Sequence, residues 1–276
     1  MFVVRAASFK KGVVTIFFLR GRQLIMHDYF KNLDRIEFVI TMACTGMCKH
    51  CSQGEHISTK EHIDGELVQR AIKDVCEKYQ IQSLMTFGGE PLLYPEDVCK
   101  IHIAAKEAGI PSRELITNGY FSKGEKRIKD VAHMLAESGV NIILLSVDAF
   151  HQETIPLEPV KYFADCVRDE GLFIKLSPAW LVSEEDDNPY NIRTRELLSE
   201  FTKKGFQVSC GNVIWPEGNA KKKLSEYFDE NKEYINPYED DPIDISSLCF
   251  GPNGDVLNGN IYRNSIMDIM NGYSVE

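Results

Sequence analysis

The sequence predicts an α/β fold, a partial (β/α)6 TIM-like barrel with an N-terminal β-hairpin and a small C-terminal α+β extension. Two observations lead to this expectation. Short apolar runs alternate with amphipathic stretches of helical length from Arg35 onward, which is the pattern of parallel strands joined by right-handed helical crossovers. Six such units are present, two fewer than a closed eightfold barrel contains. We therefore expect an open barrel with its active site at the C-terminal ends of the strands.

The expected strands of the barrel are six apolar runs with helical stretches between them. The first helix should begin near Asp64, because Val68, Ile72 and Val75 recur on one face while charged residues occupy the rest of the surface. In chain order the strands are RIEFVIT from Arg35, IQSLMTF from Ile81, RELITNG from Arg113, NIILLSV from Asn141, LFIKLSP from Leu172 and FQVSCGNVIW from Phe206.

The two ends of the chain lack this alternation. The run FVVRAASFKKGVVTIFFL indicates two strands around the turn KKG, and residues 21–32 connect this hairpin to the barrel. After Trp215 the pattern gives way to a linker rich in Lys and Asp, and Asn253 with Gly254 then indicates a hairpin turn before a short helix. The sequence thus predicts three units, the hairpin and its connection over 1–32, the barrel over 33–220 and the extension over 221–276.

Charge and composition disfavour several classes of partner. The net charge of -10 and the pI near 5.3 argue against a nucleic-acid backbone or an anionic membrane as the main partner, because both require clustered positive charge. The apolar run from Val13 to Leu19 is too short to span a bilayer, and no cleavage site of small residues follows it. We expect a cytoplasmic protein. Eight cysteines, three of them in one loop, favour metal chemistry in a reducing compartment over a disulfide framework.

The loop CTGMCKHC follows the first expected strand and carries three thiols, Cys44, Cys48 and Cys51, at CX3CX2C spacing. Structural zinc sites and most iron–sulfur clusters are closed by four protein ligands. Three cysteines therefore either borrow a fourth ligand or leave one metal position open for chemistry. The first alternative is a structural zinc knuckle completed by His50 or His56.

The second expected strand ends in FGGEP. Gly88 and Gly89 allow a ligand to approach the backbone closely, and Pro91 biases Glu90 towards an extended conformation. Glu90 is then placed to present its carboxylate to a cationic group. The alternative is a tight turn that starts the next helix, with Glu90 solvated.

Polar residues also end the next strands. The third strand ends in Thr117 and Asn118, and the fourth ends in SVD, where Ser146 and Asp148 share a face because strand side chains alternate. A hydroxyl and a carboxylate on one face suit a ribose, although Asp148 could equally be a helix N-cap. Lys175 interrupts the apolar fifth strand and either binds a carboxylate inside the barrel or extends outwards from a barrel edge.

In this order the motifs resemble those of the radical S-adenosylmethionine (SAM) enzymes, over about residues 35–220. The resemblance implies that Cys44, Cys48 and Cys51 hold three irons of a [4Fe–4S] cluster and that SAM chelates the fourth iron through its amino and carboxylate groups. It further implies reductive cleavage of SAM to a 5'-deoxyadenosyl radical that abstracts hydrogen from a substrate.

The resemblance also implies contacts with SAM. The GGEP segment, Gly88, Gly89, Glu90 and Pro91, corresponds to the motif that meets the SAM amino group. Ser146 and Asp148 correspond to the strand end that contacts the ribose, and His50 takes the aromatic position expected near the adenine. The full set of expected SAM-binding residues is His50, Gly88, Gly89, Glu90, Pro91, Thr117, Asn118, Ser146, Asp148 and Lys175.

The C-terminal segment resembles the extension of radical SAM enzymes of the SPASM and twitch type. Those extensions bind auxiliary clusters through several cysteines, whereas this one has only Cys249, with Asn258 and Gly259 near the place of a further ligand. We therefore expect a degenerate extension and a single cluster. Cys210 and Cys249 fall near the expected barrel mouth and are candidate hydrogen donors to a substrate radical, with buried structural thiols as the alternative.

The substrate is expected to be a ribosomally made peptide, because enzymes with this extension commonly modify peptides. The second candidate is a small metabolite or a cofactor precursor. A glycyl-radical activase is disfavoured because those enzymes lack such an extension. A protein electron donor such as flavodoxin or ferredoxin is the expected partner. Outside enzymology, the alternative is a zinc or iron–sulfur binding module without turnover, which leaves the GGEP and SVD motifs unexplained.

Overall fold

The computed structural model describes residues 17–19, 22–24, 28–54, 59–229, 231–234, 236 and 239–275. Its strands are β1 Phe17–Leu19, β2 Arg22–Leu24, β3 Arg35–Val39, β4 Ser83–Phe87, β5 Ser112–Thr117, β6 Ile142–Ser146, β7 Phe173–Ser177, β8 Ala179–Trp180, β9 Gln207–Val208, β10 Asn212–Val213, β11 Ser247–Phe250, β12 Asp255–Val256 and β13 Gly259–Asn260. Its α-helices are α1 Leu67–Cys76, α2 Pro95–Glu107, α3 Glu125–Ser138, α4 Ala149–Gln152, α5 Leu157–Asp169, α6 Pro189–Thr202, α7 Gly218–Lys223 and α8 Ile266–Gly272. Short 3-10 helices span Asp28–Phe30, Pro91–Leu93 and Ser225–Tyr227.

Seven strands form one parallel sheet in the order β11, β3, β4, β5, β6, β7, β9. Six of them lie in the six apolar runs that the sequence indicated, with helices in the crossovers. The predicted fold class is therefore confirmed as an α/β partial TIM barrel. Parallel strands place their C-terminal ends at one rim, and the loops that follow them meet there.

One face of the sheet packs against the helices. Ile36, Leu84, Leu115, Ile143 and Leu176 are fully buried on this face. They form a single apolar cluster with one stripe from each long helix. The helix residues in that cluster include Val68, Ile72, Val98, Ile101, Ile128, Val131, Val160, Phe163, Leu197 and Phe201. The spacing of three and four residues along each helix is what produces these stripes.

The other face of the sheet carries the alternating residues, and none of the described helices contributes a stripe to it. Arg35 lies on this face and forms ion pairs with Glu37 at 2.6 Å and with Glu114 at 3.4 Å. The same guanidinium also donates to the Ser83 hydroxyl at 3.1 Å. Burial would lower the pKa of Arg35, but the two carboxylates raise it above its ordinary value. Arg35 is thus permanently charged and is neutralised by its own neighbours.

The described N-terminal residues form one short antiparallel strand pair. β1 and β2 pair with Phe17 opposite Leu24 and Leu19 opposite Arg22. β1 lies at the end of the second strand of the expected hairpin. The KKG turn and the first expected strand lie outside the described residues, so the expected hairpin around that turn stays a prediction.

The C-terminal segment supplies an edge strand of the barrel sheet, which the sequence analysis did not predict. β11 pairs in parallel with β3, and the rings of Phe38 and Phe250 stack with their centroids 4.8 Å apart. Leu248, Ile266 and Ile269 belong to the same apolar cluster as the barrel core. The predicted boundary at residue 220 is therefore crossed by both the sheet and the core, and the three-unit division stays a prediction.

The predicted turn at Asn253 and Gly254 forms, but it is not the turn of the C-terminal hairpin. It connects β11 to β12, and Gly254 adopts a φ of 84°, which favours glycine. The antiparallel hairpin of β12 and β13 turns instead at Leu257 and Asn258. The expected position was wrong because SLCF, the sequence of β11, was not recognised as a strand. The short helix expected after the hairpin is α8.

No helix in the described part of the chain is both long enough and apolar enough to cross a membrane.

His102 is a buried polar residue on the helix-covered side of the sheet. Its Nε2 lies 2.9 Å from the hydroxyl oxygen of Thr86, and its Nδ1 has no hydrogen-bond partner. Burial, with a smaller effect of the Arg113 charge, lowers the pKa of His102 to about 3. The ring is therefore neutral in the folded protein at every pH at which the protein is normally handled.

Replacing His102 with Gln should remove an acid-sensitive contribution to stability while keeping a polar partner for Thr86. The pKa of His102 falls from 6.5 to about 3 on folding, so its contribution is fully present above pH 6.5 and is lost as the pH falls towards 3. Between pH 7.5 and pH 5, the free energy of unfolding of the wild-type chain should fall by about 2 kcal/mol more than that of His102→Gln. Urea denaturation at both pH values measures this difference, and equal pH dependence in the two chains would contradict it.

Candidate functional site

The cysteine-bearing loop leaves β3 at the C-terminal rim and is held by the residues that follow β4. The amide of Gly89 donates to the carbonyl oxygen of Thr41, and the amide of Glu90 donates to that of Ala43, both at 2.8 Å. A Cβ atom on Gly89 would overlap the carbonyl oxygen of Ala43. Gly88 lies equally close to Thr41 and adopts a φ of 140°, which side chains rarely tolerate. The two glycines of FGGEP thus admit the backbone of the cysteine loop itself.

Glu90 is fully buried and joins the end of β4 to the end of β5. Its carboxylate accepts hydrogen bonds from the Leu92 amide at 2.9 Å, the Thr117 hydroxyl at 2.7 Å and the Asn118 amide at 2.9 Å. Burial raises the pKa of Glu90 to about 7, and these three donors hold it below a still higher value. Pro91, also buried, begins the short 3-10 helix that Glu90 caps. Glu90 is therefore not solvated, so that alternative is wrong, and the expected contact of its carboxylate with a cationic group stays a prediction.

Asn118 lies between the end of β5 and the first cysteine. Its side-chain amide donates to the Thr45 hydroxyl at 3.2 Å and lies 3.6 Å from the Cys44 sulfur. Its side-chain oxygen accepts from the Tyr120 amide at 2.8 Å, which fixes the orientation of the amide group. Asn118 is therefore placed to donate a hydrogen bond to a thiolate at position 44.

Two residues that the sequence analysis did not single out hold the other side of the loop. Asn219, in α7, donates from its backbone amide to the Cys51 carbonyl at 2.9 Å and from its side chain to the Cys48 carbonyl at 3.1 Å. The Thr154 hydroxyl accepts from the Met47 amide at 3.1 Å. The glycine before Asn219, in PEGNA, was the one sequence feature that could have indicated this contact. Gly218 adopts a φ of 52° and lies against the carbonyl oxygens of Cys51 and Ser52, where a side chain would not fit.

The three thiols of the loop interact electrostatically with one another. Burial raises the pKa of Cys44 to about 11, with a further contribution from Cys51. Burial also raises the pKa of Cys48, and Asp148, Cys44 and Cys51 raise it further. Burial raises the pKa of Cys51, although the amides of Gln53 and Gly54 oppose the shift. The thiols are therefore protonated without a cation, and a metal group bound here must displace their protons.

Asp148 acts as the N-cap of α4, which was the alternative to a ribose contact. Its carboxylate accepts from the His151 amide at 2.9 Å, from Nδ1 of the His151 ring at 2.8 Å and from the Ala179 amide at 3.1 Å. Burial alone would raise the pKa of Asp148, but the charge and hydrogen bonds of His151 lower it to about 2. The carboxylate is fully buried, whereas Ser146 is partly exposed, and the expected ribose contact at this strand end stays a prediction.

His50 lies against α4. Its ring contacts the rings of Phe150 and His151 at centroid distances of 5.0 Å and 4.9 Å. Burial lowers the pKa of His50 to about 4, so the ring is neutral near pH 7. These ring contacts are between protein side chains, and the expected position of His50 near an adenine stays a prediction.

The remaining predicted residues are spread across the sheet. Lys175 is partly exposed on the uncovered face of β7, with its ammonium 5.2 Å from the centroid of the Phe173 ring. Cys249 lies in β11, opposite Glu37 of β3, at one edge of the sheet. Cys210 follows β9 at the other edge. Both thiols are exposed, so the alternative of buried structural cysteines is wrong for these two residues.

Buried polar atoms without partners gather around the cysteine loop. Of the four found among the described side chains, three lie here: His50 Nδ1, Gln152 Nε2 and Asn219 Oδ1. A buried donor or acceptor without a partner costs about 1–3 kcal/mol. Three such atoms beside three buried or partly buried thiols fit a site that receives a further group. The donor set, which consists of thiols supported by amide donors, fits an iron–sulfur cluster at Cys44, Cys48 and Cys51.

The comparison with family models assigns the central part of the chain. Residues 38–168 match the model of the Radical SAM superfamily. These residues form a Radical SAM domain. The matched segment begins in β3 and ends in α5, so it contains all three thiols of the cysteine loop and both Glu90 and Asp148.

Similarity to characterised proteins covers this domain at the level of sequence and most of the chain at the level of fold. A probable GTP 3',8-cyclase of Methanocaldococcus jannaschii is 27% identical over 129 residues, which are 46% of this chain and 41% of that protein. This chain therefore matches less than half of that relative. The structure of anSMEcpe with bound AdoMet is 14% identical, with a TM-score of 0.57 over 86% of this chain and 77% of that one. Streptococcus suis SuiB bound to S-adenosylmethionine is 13% identical, with a TM-score of 0.53 over 86% of this chain and 65% of that one.

Placing a methyl group on Gly89 should displace the cysteine loop of the Radical SAM domain. Because the added Cβ overlaps the Ala43 carbonyl, Gly89→Ala should lower the free energy of unfolding by about 1–3 kcal/mol. It should also lower iron uptake on reconstitution. Gly124→Ala is the matched control, since a Cβ there meets only the Ser122 hydroxyl at 3.7 Å. Denaturation and iron analysis of both variants measure these effects. Full iron uptake and unchanged stability in Gly89→Ala would contradict the close approach.

Proposed function

We propose that this chain is a radical SAM enzyme that binds a [4Fe–4S] cluster at Cys44, Cys48 and Cys51 and leaves one iron for SAM. The observation that carries the proposal is the convergence of these three mutually interacting thiols, Cys48 buried and the other two partly buried, in a loop held from β4, β5 and α7. A reduced cluster held by these thiols would supply one electron to SAM, whose cleavage would give methionine and a 5'-deoxyadenosyl radical that takes a hydrogen atom from the substrate and becomes 5'-deoxyadenosine.

The residues of the chain position and shield this site. Asn118 donates towards the Cys44 sulfur, and the buried braces Glu90 and Asp148 fix the rim at β5 and α4. Gly88, Gly89, Thr117, Ser146 and Lys175 remain the proposed surroundings of SAM, through backbone groups at the glycines and through side chains elsewhere. His50 is proposed to lie beside the adenine. An external one-electron donor such as flavodoxin or ferredoxin supplies the electron.

A peptide is the substrate class that we favour. The uncovered face of the sheet carries two cations among its described strand residues, Arg35 and Lys175, and Arg35 is neutralised by Glu37 and Glu114. A polyphosphate such as that of GTP requires several unpaired cations, so the charge on this face disfavours the substrate class of the curated relatives. Peptide-bound structures of anSMEcpe share this fold, with TM-scores of 0.55. A small metabolite or cofactor precursor without phosphates remains the second candidate.

A cavity lined mainly by aromatic and aliphatic side chains, with Lys232 among them, also favours a peptide. It measures about 240 Å³ and is lined by aromatic side chains, among them Trp215, Tyr227, Phe228 and Tyr234. Val182, in the same lining, is exposed and has a φ of 70°, an uncommon backbone conformation for a β-branched residue. Such strain concentrates at binding sites. The cavity suits an apolar side chain of an extended substrate.

The C-terminal segment is proposed to be a SPASM/twitch-like extension that has lost its cluster ligands. Its single cysteine, Cys249, lies in β11 within the barrel sheet, while Cys210 lies at the opposite edge. Two thiols separated in this way do not form a cage for a second cluster. Both thiols are exposed, Cys210 after β9 and Cys249 on the uncovered face of β11. We propose them as hydrogen donors to a substrate radical.

Replacing any one of Cys44, Cys48 or Cys51 with Ala should abolish formation of 5'-deoxyadenosine from SAM by anaerobically reconstituted, reduced protein. The cluster needs all three protein ligands because its fourth iron is reserved for SAM. Cys166→Ala is the control, since that thiol is buried in α5 away from the loop. Product is quantified by chromatography of the quenched reaction. Undiminished cleavage in all three variants would refute the proposed function.

Iron and sulfide analysis should give about four of each per chain after reconstitution. The triple variant with Ala at positions 44, 48 and 51 should hold essentially none. The double variant Cys210→Ala, Cys249→Ala is the matched control and should keep the full content, because neither thiol is assigned to the cluster. A stoichiometric cluster with its own paramagnetic resonance signal in the triple variant would instead establish a second site.

A further inference from the structure

Cys48, His50 and His151 form a compact group of metal-binding side chains beside the cysteine loop. One ligand atom from each, the Cys48 sulfur and a ring nitrogen of each histidine, lies within 4.8 Å of the other two. Within the described part of the chain this is the one group of three or more such side chains at that spacing. Cys44 and Cys51 do not belong to it. The group therefore overlaps the proposed cluster site in a single residue.

The geometry suits a tetrahedral divalent ion. A zinc ion takes thiolate sulfur at about 2.3 Å and imidazole nitrogen at about 2.0–2.1 Å, so its ligand atoms lie roughly 3.5 Å apart. The present spacing, at most 4.8 Å, exceeds that value by no more than about 1.3 Å. Three protein ligands leave a fourth position for water or another ligand.

The hydrogen bonds around the group prepare both histidines for a metal. Asp148 accepts from Nδ1 of His151 at 2.8 Å, so Nε2 is the nitrogen of that ring that remains for a metal ion. A buried carboxylate that orients a histidine in this way is the usual support of a metal-bound imidazole. His50 has a buried Nδ1 with no hydrogen-bond partner. The sequence indicated a zinc site completed by His50 or His56, and the structure supplies His151 as the companion of His50; His56 lies outside the described residues.

We propose that the cluster-free chain binds one divalent d-block cation, such as Zn²⁺, through Cys48, His50 and His151, with Asp148 orienting His151. The site goes beyond the proposed radical chemistry and is mutually exclusive with it, because Cys48 serves both. A bound zinc ion therefore blocks cluster assembly until it is removed, while keeping the Cys48 thiolate protected from oxidation.

Cobalt is the probe, because its thiolate charge-transfer and d–d absorption bands report the ligands directly. Co²⁺ is titrated anaerobically into iron-free protein and then displaced with Zn²⁺. One ion per chain should bind with absorption typical of tetrahedral coordination and of a single thiolate. Cys48→Ser and His151→Phe should each weaken binding at least tenfold, and Asp148→Asn should weaken it about 10–100-fold, because it removes the carboxylate support while keeping a cap for α4.

Cys44→Ser and Cys51→Ser separate this site from the cluster site. Both should bind Co²⁺ as the wild-type chain does, although both should fail to assemble a cluster. His133→Phe is the control for loss of a histidine, since that ring is exposed and bonded to Glu170. Circular dichroism and thermal melting verify folding, and His50→Phe carries the same expectation as His151→Phe if the latter does not fold.

Two outcomes would overturn the inference. In the first, Cys44→Ser and Cys51→Ser lose cobalt binding while His151→Phe and His50→Phe bind cobalt as the wild-type chain does. That result would show that the three cysteines hold the ion. Binding unaffected by any of these variants would show adventitious metal only. Neither outcome bears on SAM cleavage, which is measured separately, so the radical function and the zinc site stand or fall independently. Zinc-loaded wild-type protein should also take up iron more slowly than metal-free protein, and chelation should restore the rate.

Discussion

The close approach of two backbone segments, residues 41–43 and residues 88–90, is the constraint on which the site depends. Only residues without a Cβ can lie where Gly88 and Gly89 lie, and their position brings the amides of Gly89 and Glu90 to the carbonyls that precede Cys44. The loop is thereby fixed at its base before any side chain is considered. Asn118 and Asn219 then hold it from opposite sides. The direction in which the thiols point follows from this framework.

Buried carboxylates in this rim serve as connectors between loops. Glu90 joins the residues after β4 to those after β5, and Asp148 joins α4 to β8. Each is stabilised by several donors, which is what a buried carboxylate requires. The two carboxylates differ in their partners. Asp148 accepts from the ring of a titratable histidine, whereas Glu90 has only neutral donors in direct contact. His50, Gln152 and Asn219 each keep one buried polar atom without a hydrogen-bond partner, whereas both carboxylates accept several hydrogen bonds.

The barrel strands could be predicted from the sequence because each is a short apolar run followed by an amphipathic helix. The apolar strand runs and the helical spacing of apolar residues are both strong patterns. The sequence also predicted that the thiols, Glu90 and Asp148 follow the C-terminal ends of strands, because these residues come directly after the apolar runs. It could not decide whether Asp148 caps a helix or is displayed, because one of its partners, the Ala179 amide, lies 31 residues away in another element. β11 was missed since four residues at a sheet edge carry little pattern, and the NG turn was consequently given to the wrong pair of strands. His151 gave no signal, as its partner His50 is distant in sequence.

The pairing of β11 with β3 has a consequence for how the chain folds. β3 leads directly into the cysteine loop, yet its second neighbour in the sheet comes from residues 247–250, more than 200 positions later. Until that segment is available, β3 presents an open edge beside the thiols, and contacts of such long sequence separation form late. The cysteine loop, by contrast, is bounded by β3, β4 and β5, which adjoin in the first half of the chain. The edge of β3 beside the thiols therefore stays open until residues 247–250 pair with it, and an unpaired strand edge is a site at which chains aggregate.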